Sequence, residues 1–217
     1  MAIVDTLTKL TEWLNKNACA KVQLKMPADD GEAMDDKYSY ELVTPQAFPL
    51  FIPAKDRLPP NVKTAMPSVC VQIMDGQDDL LSKNRDIRIN LGFSCWNPGI
   101  HEKDIFFDGD SASYEAFINS YFPTKFDKKT NESQLVKFRR TATGWMDCWN
   151  FIDLTLRELE QVDNIEGIQI VKDEPIKFGP YKEQEVIPDY YPYWLGYIQF
   201  TVRAGIVRHN VSYEEYL

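Results

Sequence analysis

Basic residues are scarce in this chain. Across 217 residues, 24 lysines and arginines face 33 aspartates and glutamates, a formal net charge of −9. Binding nucleic acid through its phosphates needs a positive surface, so this balance works against it. The closest basic groupings (Lys125, Lys128 and Lys129, then Lys137, Arg139 and Arg140) are short and interrupted. No sequence-specific nucleic-acid partner is expected. Cysteine is sparse too: Cys19, Cys70, Cys95 and Cys148 stand far apart and form no CxxC pair. That pattern argues against metal spacing and against a disulfide framework, leaving buried, reduced thiols. No uninterrupted apolar stretch approaches the ~20 residues that would span a bilayer, so no membrane partner is expected. The opening Met1-Ala2-Ile3-Val4-Asp5 lacks a charged leader followed by an apolar run, which predicts a cytoplasmic chain without a secretory signal.

The motifs of common chemistry are also missing. There is no glycine-rich phosphate loop, no GxSxG and no pair of histidines at ligand spacing. Only two histidines exist, His101 beside Glu102 and His209 beside Arg208. Asp75, Asp78 and Asp79 cluster where aspartate is favoured by turn geometry alone. Asp108-Gly109-Asp110-Ser111 hints at a calcium loop, but Ser113 stands where the sharp-turn glycine belongs and Asn119 where the bidentate glutamate belongs. The segment 27–37 carries five acidic side chains around Gly31 and reads as a solvated loop. No metal, no cofactor and no enzymatic activity are expected. The competing enzyme reading is a metal-dependent hydrolase using Asp75, Asp78, Asp79 or Asp108.

What is present is an apolar fraction of 44%, enough for a sizeable core in a single α+β domain spanning residues 1–217. Ile3, Leu7, Leu10 and Leu14 line one face of a helix over residues 3–16. Six prolines between Pro45 and Pro67 predict an extended connector, and its Phe48, Leu50, Phe51 and Ile52 predict that it lies against a surface. Val69, Val71 and Ile73 share the face of a strand that the Asp75-Gly76 turn signal closes. Over 86–96, Ile87, Ile89, Leu91, Phe93 and Cys95 alternate with polar or small residues, predicting a half-buried strand and an antiparallel hairpin. Residues 97–140 open with the turn Asn97-Pro98-Gly99 and read as an insertion, with a short helix around 113–121. Trp145, Trp149, Ile152, Leu156 and Leu159 then form the apolar stripe of a helix over 142–161, capped by Thr143 and supported by Asp153 and Arg157. Short strands follow at 168–172 and 175–178, and residues 194–207 alternate as a last strand with Ile198, Phe200, Val202 and Ala204 inward. The order predicts helices packed on a mainly antiparallel sheet.

Two stretches resemble the tail terminator proteins of tailed bacteriophages and phage-tail-like particles. Gly144-Trp-Met-Asp147-Cys-Trp-Asn150, leading into a helix that ends with Arg157 and Leu159, is similar to that family's helix entrance. Glu174-Pro175-Ile176-Lys177-Phe178, an acidic loop, and then Tyr191-Pro192-Tyr193-Trp194-Leu195-Gly196 resemble its closing pair of strands. The order of parts agrees over the greater part of the chain, while the stretch 97–140 is longer than the family pattern. The resemblance implies a tail-terminator-like fold and a hexameric homo-oligomeric ring at the head-proximal end of the tail tube. The implied partners are the major tail tube protein and the head–tail connector proteins. The implied location is the bacterial host cytoplasm during assembly and then the head–tail junction of the virion. A ring requires unlike patches on each subunit. The candidates for such contacts are the amino-terminal helix, the connector (Phe48 and Phe51) and the aromatic run (Tyr191, Tyr193 and Trp194). The alternative within the same particle is another neck or tail-completion protein.

Overall fold

A computed structural model of the chain describes residues 3–27, 41–98 and 144–205. The expectations that fall elsewhere lie outside the described residues. These are the acidic loop beyond Pro27, the insertion beyond Pro98 with its helix, the Asp108 loop, Thr143, both histidines and the end of the last strand.

Two helices cover one face of a mixed, mainly antiparallel sheet, giving an α+β architecture. Helix α1 (Ile3–Asn17) buries Leu7, Leu10 and Leu14, whereas Ile3 at its start is exposed. Two-residue strands β1 (Leu24–Lys25) and β2 (Leu42–Val43) pair antiparallel beside the main sheet. The main sheet runs β3 (Gln46–Pro49), β4 (Ser68–Asp79), β5 (Asn84–Trp96), β9 (Tyr193–Gly205), β7 (Ile168–Ile170) and β6 (Asn164–Ile165). Strand β8 (Lys177–Pro180) also pairs with β9. All of these contacts are antiparallel except β3 with β4.

That exception revises the reading of the connector. Its first residues form a parallel edge strand and do not merely lie against a surface. The edge is closed from the helix side. Asn15 Oδ1 accepts from the Ala47 amide at 2.7 Å and its Nδ2 donates to the Ala47 carbonyl at 3.3 Å, so α1 satisfies backbone groups that the sheet leaves over. The hairpin is antiparallel as the alternation predicts, but Asp75-Gly76 does not close it. Strand β4 continues to Asp79, and the register shifts between Ile73 and Asp75, so Met74 is the bulged residue and Gly76 pairs regularly with Ile87. The turn itself lies beyond Asp79, with Lys83 at a φ of 59°.

Alternation along β5 and β9 sorts the two faces. Ile87, Ile89, Leu91, Phe93 and Cys95 join Ile198, Phe200 and Val202 in the core with Val69 and Val71 of β4. The opposite face carries a polar ladder: Asn90 donates to Gln72 at 2.9 Å and Gln199 donates to Asn90 at 3.2 Å. Helix α2 (Trp145–Glu160) packs on β5 and β9. Its buried stripe is Cys148, Phe151, Ile152, Thr155 and Leu159, rotated from the predicted one, so that Trp145, Trp149 and Leu156 flank the contact half-buried. Spacing alone cannot choose between two overlapping stripes. The sheet selects the one whose Phe151 meets Phe93 edge-on at a centroid distance of 5.0 Å. Gly144 holds the cap position, and Asp153 pairs with Arg157 on the solvent side.

Candidate functional site

The end of the sheet where β5 stops and β9 starts gathers the conspicuous sequence features into one place. Asn97, directly after β5, uses every polar group it has. Its amide donates to the Pro192 carbonyl at 2.9 Å, and its carbonyl accepts from Trp194 Nε1 at 2.7 Å. Its side-chain Nδ2 donates to Asp147 Oδ2 at 2.7 Å and its Oδ1 accepts from Lys25 Nζ at 3.2 Å. Tyr191 adds an O–H bond to the Pro98 carbonyl at 2.9 Å, and its ring meets Trp194 in a T-shaped contact at 6.3 Å. Burial raises the Asp147 carboxyl pKa above its ordinary value, opposed by the Asn97 hydrogen bond and by the Lys25 charge.

Two glycines make this junction possible. A Cβ on Gly144 would lie 2.3 Å from the Asn97 carbonyl oxygen and 2.7 Å from Trp194 Nε1. A Cβ on Gly196 would lie 2.6 Å from the tip of Ile152 and 3.6 Å from Cys148 Sγ. The Gly144–Asp147 stretch and the Pro192–Gly196 stretch are therefore two halves of one packing unit. Asn97, which the sequence presents only as part of a turn, is the piece that joins them. No local pattern marks it, because its partners come from three distant segments.

The interface candidates divide. Tyr191, Tyr193 and Trp194 belong to this junction. Tyr193 is 41% exposed, while Tyr191 and Trp194 are half-buried and Trp194 packs against the core. Phe48 and Phe51 are placed elsewhere, on and just after the edge strand β3, three positions away from β9 in the sheet. Phe48 is buried within the chain, and Phe51 is 68% exposed. The apolar face of α1 is occupied by its own sheet, so that helix offers only Ile3 and Val4 as exposed apolar groups.

Beside the junction lies an open groove of about 640 Å³ lined by Met26, Met66, Tyr181, Tyr190, Tyr193 and Leu195, with Lys55 and Lys63 also on its wall. The Tyr181 and Tyr190 hydroxyls both donate to Glu183, which raises both phenol pKa values.

The hairpin aspartates do not converge. Asp78 is gripped by Arg85 through two bonds of 2.6 and 2.7 Å, and this hydrogen bonding lowers its pKa. Asp79 accepts from Ser82 and from the turn amides, which lowers its pKa likewise. Asp75 pairs with Arg88. Among the described residues, no group of three or more His, Cys, Asp or Glu side chains could hold a metal ion. Among the same residues, no helix is long and apolar enough to cross a membrane. All four cysteines are buried, and burial pushes the Cys19 thiol up to about 12 and the Cys70 thiol up to about 11. No family profile matches the chain, and no curated protein is significantly similar to it.

Proposed function

We propose that this chain is a structural assembly protein of tailed bacteriophages, the tail terminator that caps the head-proximal end of the tail tube and joins it to the head connector. The observation that carries the reading is the junction around Asn97. The two stretches through which the sequence resembles tail terminators are far apart in the chain, yet they pack on each other through Gly144 against Trp194 and Gly196 against Ile152. The resemblance thus falls on one cooperative unit of the fold. The chemistry of the unit agrees: a half-buried, hydrogen-bonded carboxyl, an amide with all its groups satisfied and an indole make a joint, and supply no nucleophile with an adjacent base. The hydrolase reading gains nothing from the hairpin aspartates, each of which is engaged in its own local contact.

Immunogold labelling of the chain in particles from its source, viewed by electron microscopy, tests the proposal. Gold is expected at the head–tail junction. Gold along the tail shaft, at its distal end, or absent from particles would refute the assignment.

A further inference from the structure

Lys25, Asn97 and Asp147 come from a short strand, a strand end and a helix, and they meet inside the junction. Lys25 Nζ donates to Asn97 Oδ1 at 3.2 Å, and Asn97 Nδ2 donates to Asp147 Oδ2 at 2.7 Å. An ammonium only donates and a carboxylate only accepts, so these two partners fix which way the carboxamide points. One C=O bond of about 1.2 Å separates Oδ1 from Cγ, which leaves the Lys25 nitrogen at most about 4.4 Å from that carbon. Reacting atoms held at ~3–3.5 Å are poised for attack, and the flexible lysine stem spans the difference.

The carboxamide is a fixed target. Asn97 is only 6% exposed, its backbone is held by Pro192 and Trp194, and Gly144 is seated against it. The usual route by which an asparagine loses its carboxamide is attack by the backbone nitrogen of the next residue. That route is closed here, because the next residue is Pro98 and its nitrogen carries no hydrogen. Carboxyl, amide and indole hold no nucleophile among themselves; Lys25 brings one to them. Burial raises the Asp147 pKa above its ordinary value, which brings a neutral amine beside a carboxylic acid closer in energy to the ion pair.

We propose that the Lys25 amine and the Asn97 carboxamide condense to an intramolecular isopeptide bond, with Asp147 as the proton carrier. Lys25 gives one proton to the Asp147 carboxylate, and the freed lone pair forms the Nζ–Cγ bond. The Cγ–Nδ2 bond then breaks with its electron pair on nitrogen. Asp147 returns its proton to that nitrogen, the second proton shed by Nζ joins it, and ammonium leaves. No oxidant, reductant or cofactor enters, and each chain reacts once. The product ties β1 to the end of β5 across 72 residues of sequence. The use of such a tie in a joint that bears load rests on the proposed function; the bond itself does not.

Intact-mass spectrometry of the purified full chain, incubated at neutral pH for a week and then denatured, tests the proposal. The wild type is expected to be lighter than its sequence by one ammonia and to yield a tryptic peptide joining the Lys25 segment to the Asn97 segment. On a denaturing gel it should run ahead of Lys25→Arg, because a closed loop keeps the denatured chain compact. Lys25→Arg keeps the cation but cannot supply a neutral amine, so it should retain its full mass. Asp147→Asn keeps an acceptor for Asn97 but carries no proton, so bond formation should slow by about a hundredfold or more. A wild type that keeps its full mass overturns the proposal, whether or not either variant folds. So does an ammonia loss that persists in Lys25→Arg, or an Asp147→Asn chain that cross-links at the wild-type rate. The effect of the Asp147 charge on stability is accordingly read in the Lys25→Arg background, which cannot form the bond.

Discussion

Replacing Gly144 by alanine sets two physical effects against each other, and the structure decides the sign. Gly144 has a φ of −60° and a ψ of −33°, an ordinary right-handed helical conformation that alanine adopts without strain. Backbone considerations alone therefore predict stabilisation: removing a glycine at a compatible position is worth about 0.4–1 kcal/mol through the unfolded chain. Sterics predict the reverse. The new methyl would stand 2.3 Å from a backbone oxygen, that of Asn97, which cannot swing away as a side-chain tip can. Its other near neighbour is Trp194 Nε1 at 2.7 Å, the donor to that same oxygen. Overpacking of this kind costs about 1–3 kcal/mol. Loss of the Trp194–Asn97 hydrogen bond adds about 0.5–1.5 kcal/mol. After the backbone gain is subtracted, the net loss is about 2 kcal/mol. Urea titration followed by tryptophan fluorescence should show it as a midpoint lowered by about 1 M with an unchanged slope. A Gly144→Ala protein as stable as the wild type, or more so, would refute the junction as drawn.

Helix α2 offers a contrast between neighbours: Phe151→Ala should cost about 3–5 kcal/mol in the same titration, and Trp149→Ala distinctly less, because Phe151 is wholly buried against Phe93 while Trp149 is half-buried. Equal losses would mean that the helix is rotated from its described position. Two carboxyls should shape the pH profile of stability in opposite senses. The Asp86 pKa is lowered by its hydrogen bonds to Arg203, at 2.7 Å each, so its contribution is present above the unfolded value of about 3.9 and is lost as pH falls through the folded one. Asp86→Asn should therefore flatten the acid limb of the profile. The Asp147 pKa is raised by burial, so its charge works against the fold as pH rises through the folded value. Asp147→Asn, which keeps an acceptor for Asn97, should hold or raise stability at pH 7, with the difference shrinking in acid. A clear loss at pH 7 would show that the Lys25 attraction outweighs burial.

Strands and helices were legible in the sequence wherever a single period was repeated long enough. The alternation Ile87–Cys95 and Ile198–Ala204 placed the core face of β5 and β9 residue by residue, although the opposite face of β5 is open only as far as Gly92 and is buried at Ser94 and Trp96, which alternation alone does not announce. Where the outcome depends on a partner, the sequence was mute. Apolar residues at Trp145 and Trp149 satisfied a helical stripe as well as Cys148 and Thr155 did, and only the sheet selects between them. Asp75-Gly76 carries the same letters whether it closes a hairpin or continues a strand. The parallel pairing of β3 hides among prolines, and the role of Asn97 depends on Lys25, Asp147 and Trp194, none of them near it in the chain. The aromatic run was visible as composition, but its division into a gripping Trp194 and an open Tyr193 was not.

The junction around Asn97 also pins together the two points between which the stretch 99–143 is strung. Pro98 is held by the Tyr191 hydroxyl, and Gly144 is seated against Asn97 itself. Both ends are thus gripped by the same few groups, so the junction behaves as a clasp: a change that loosens Asn97 frees the seat of Gly144 and the start of the last strand together, and the cost of such a change is felt at two distant points of the chain at once.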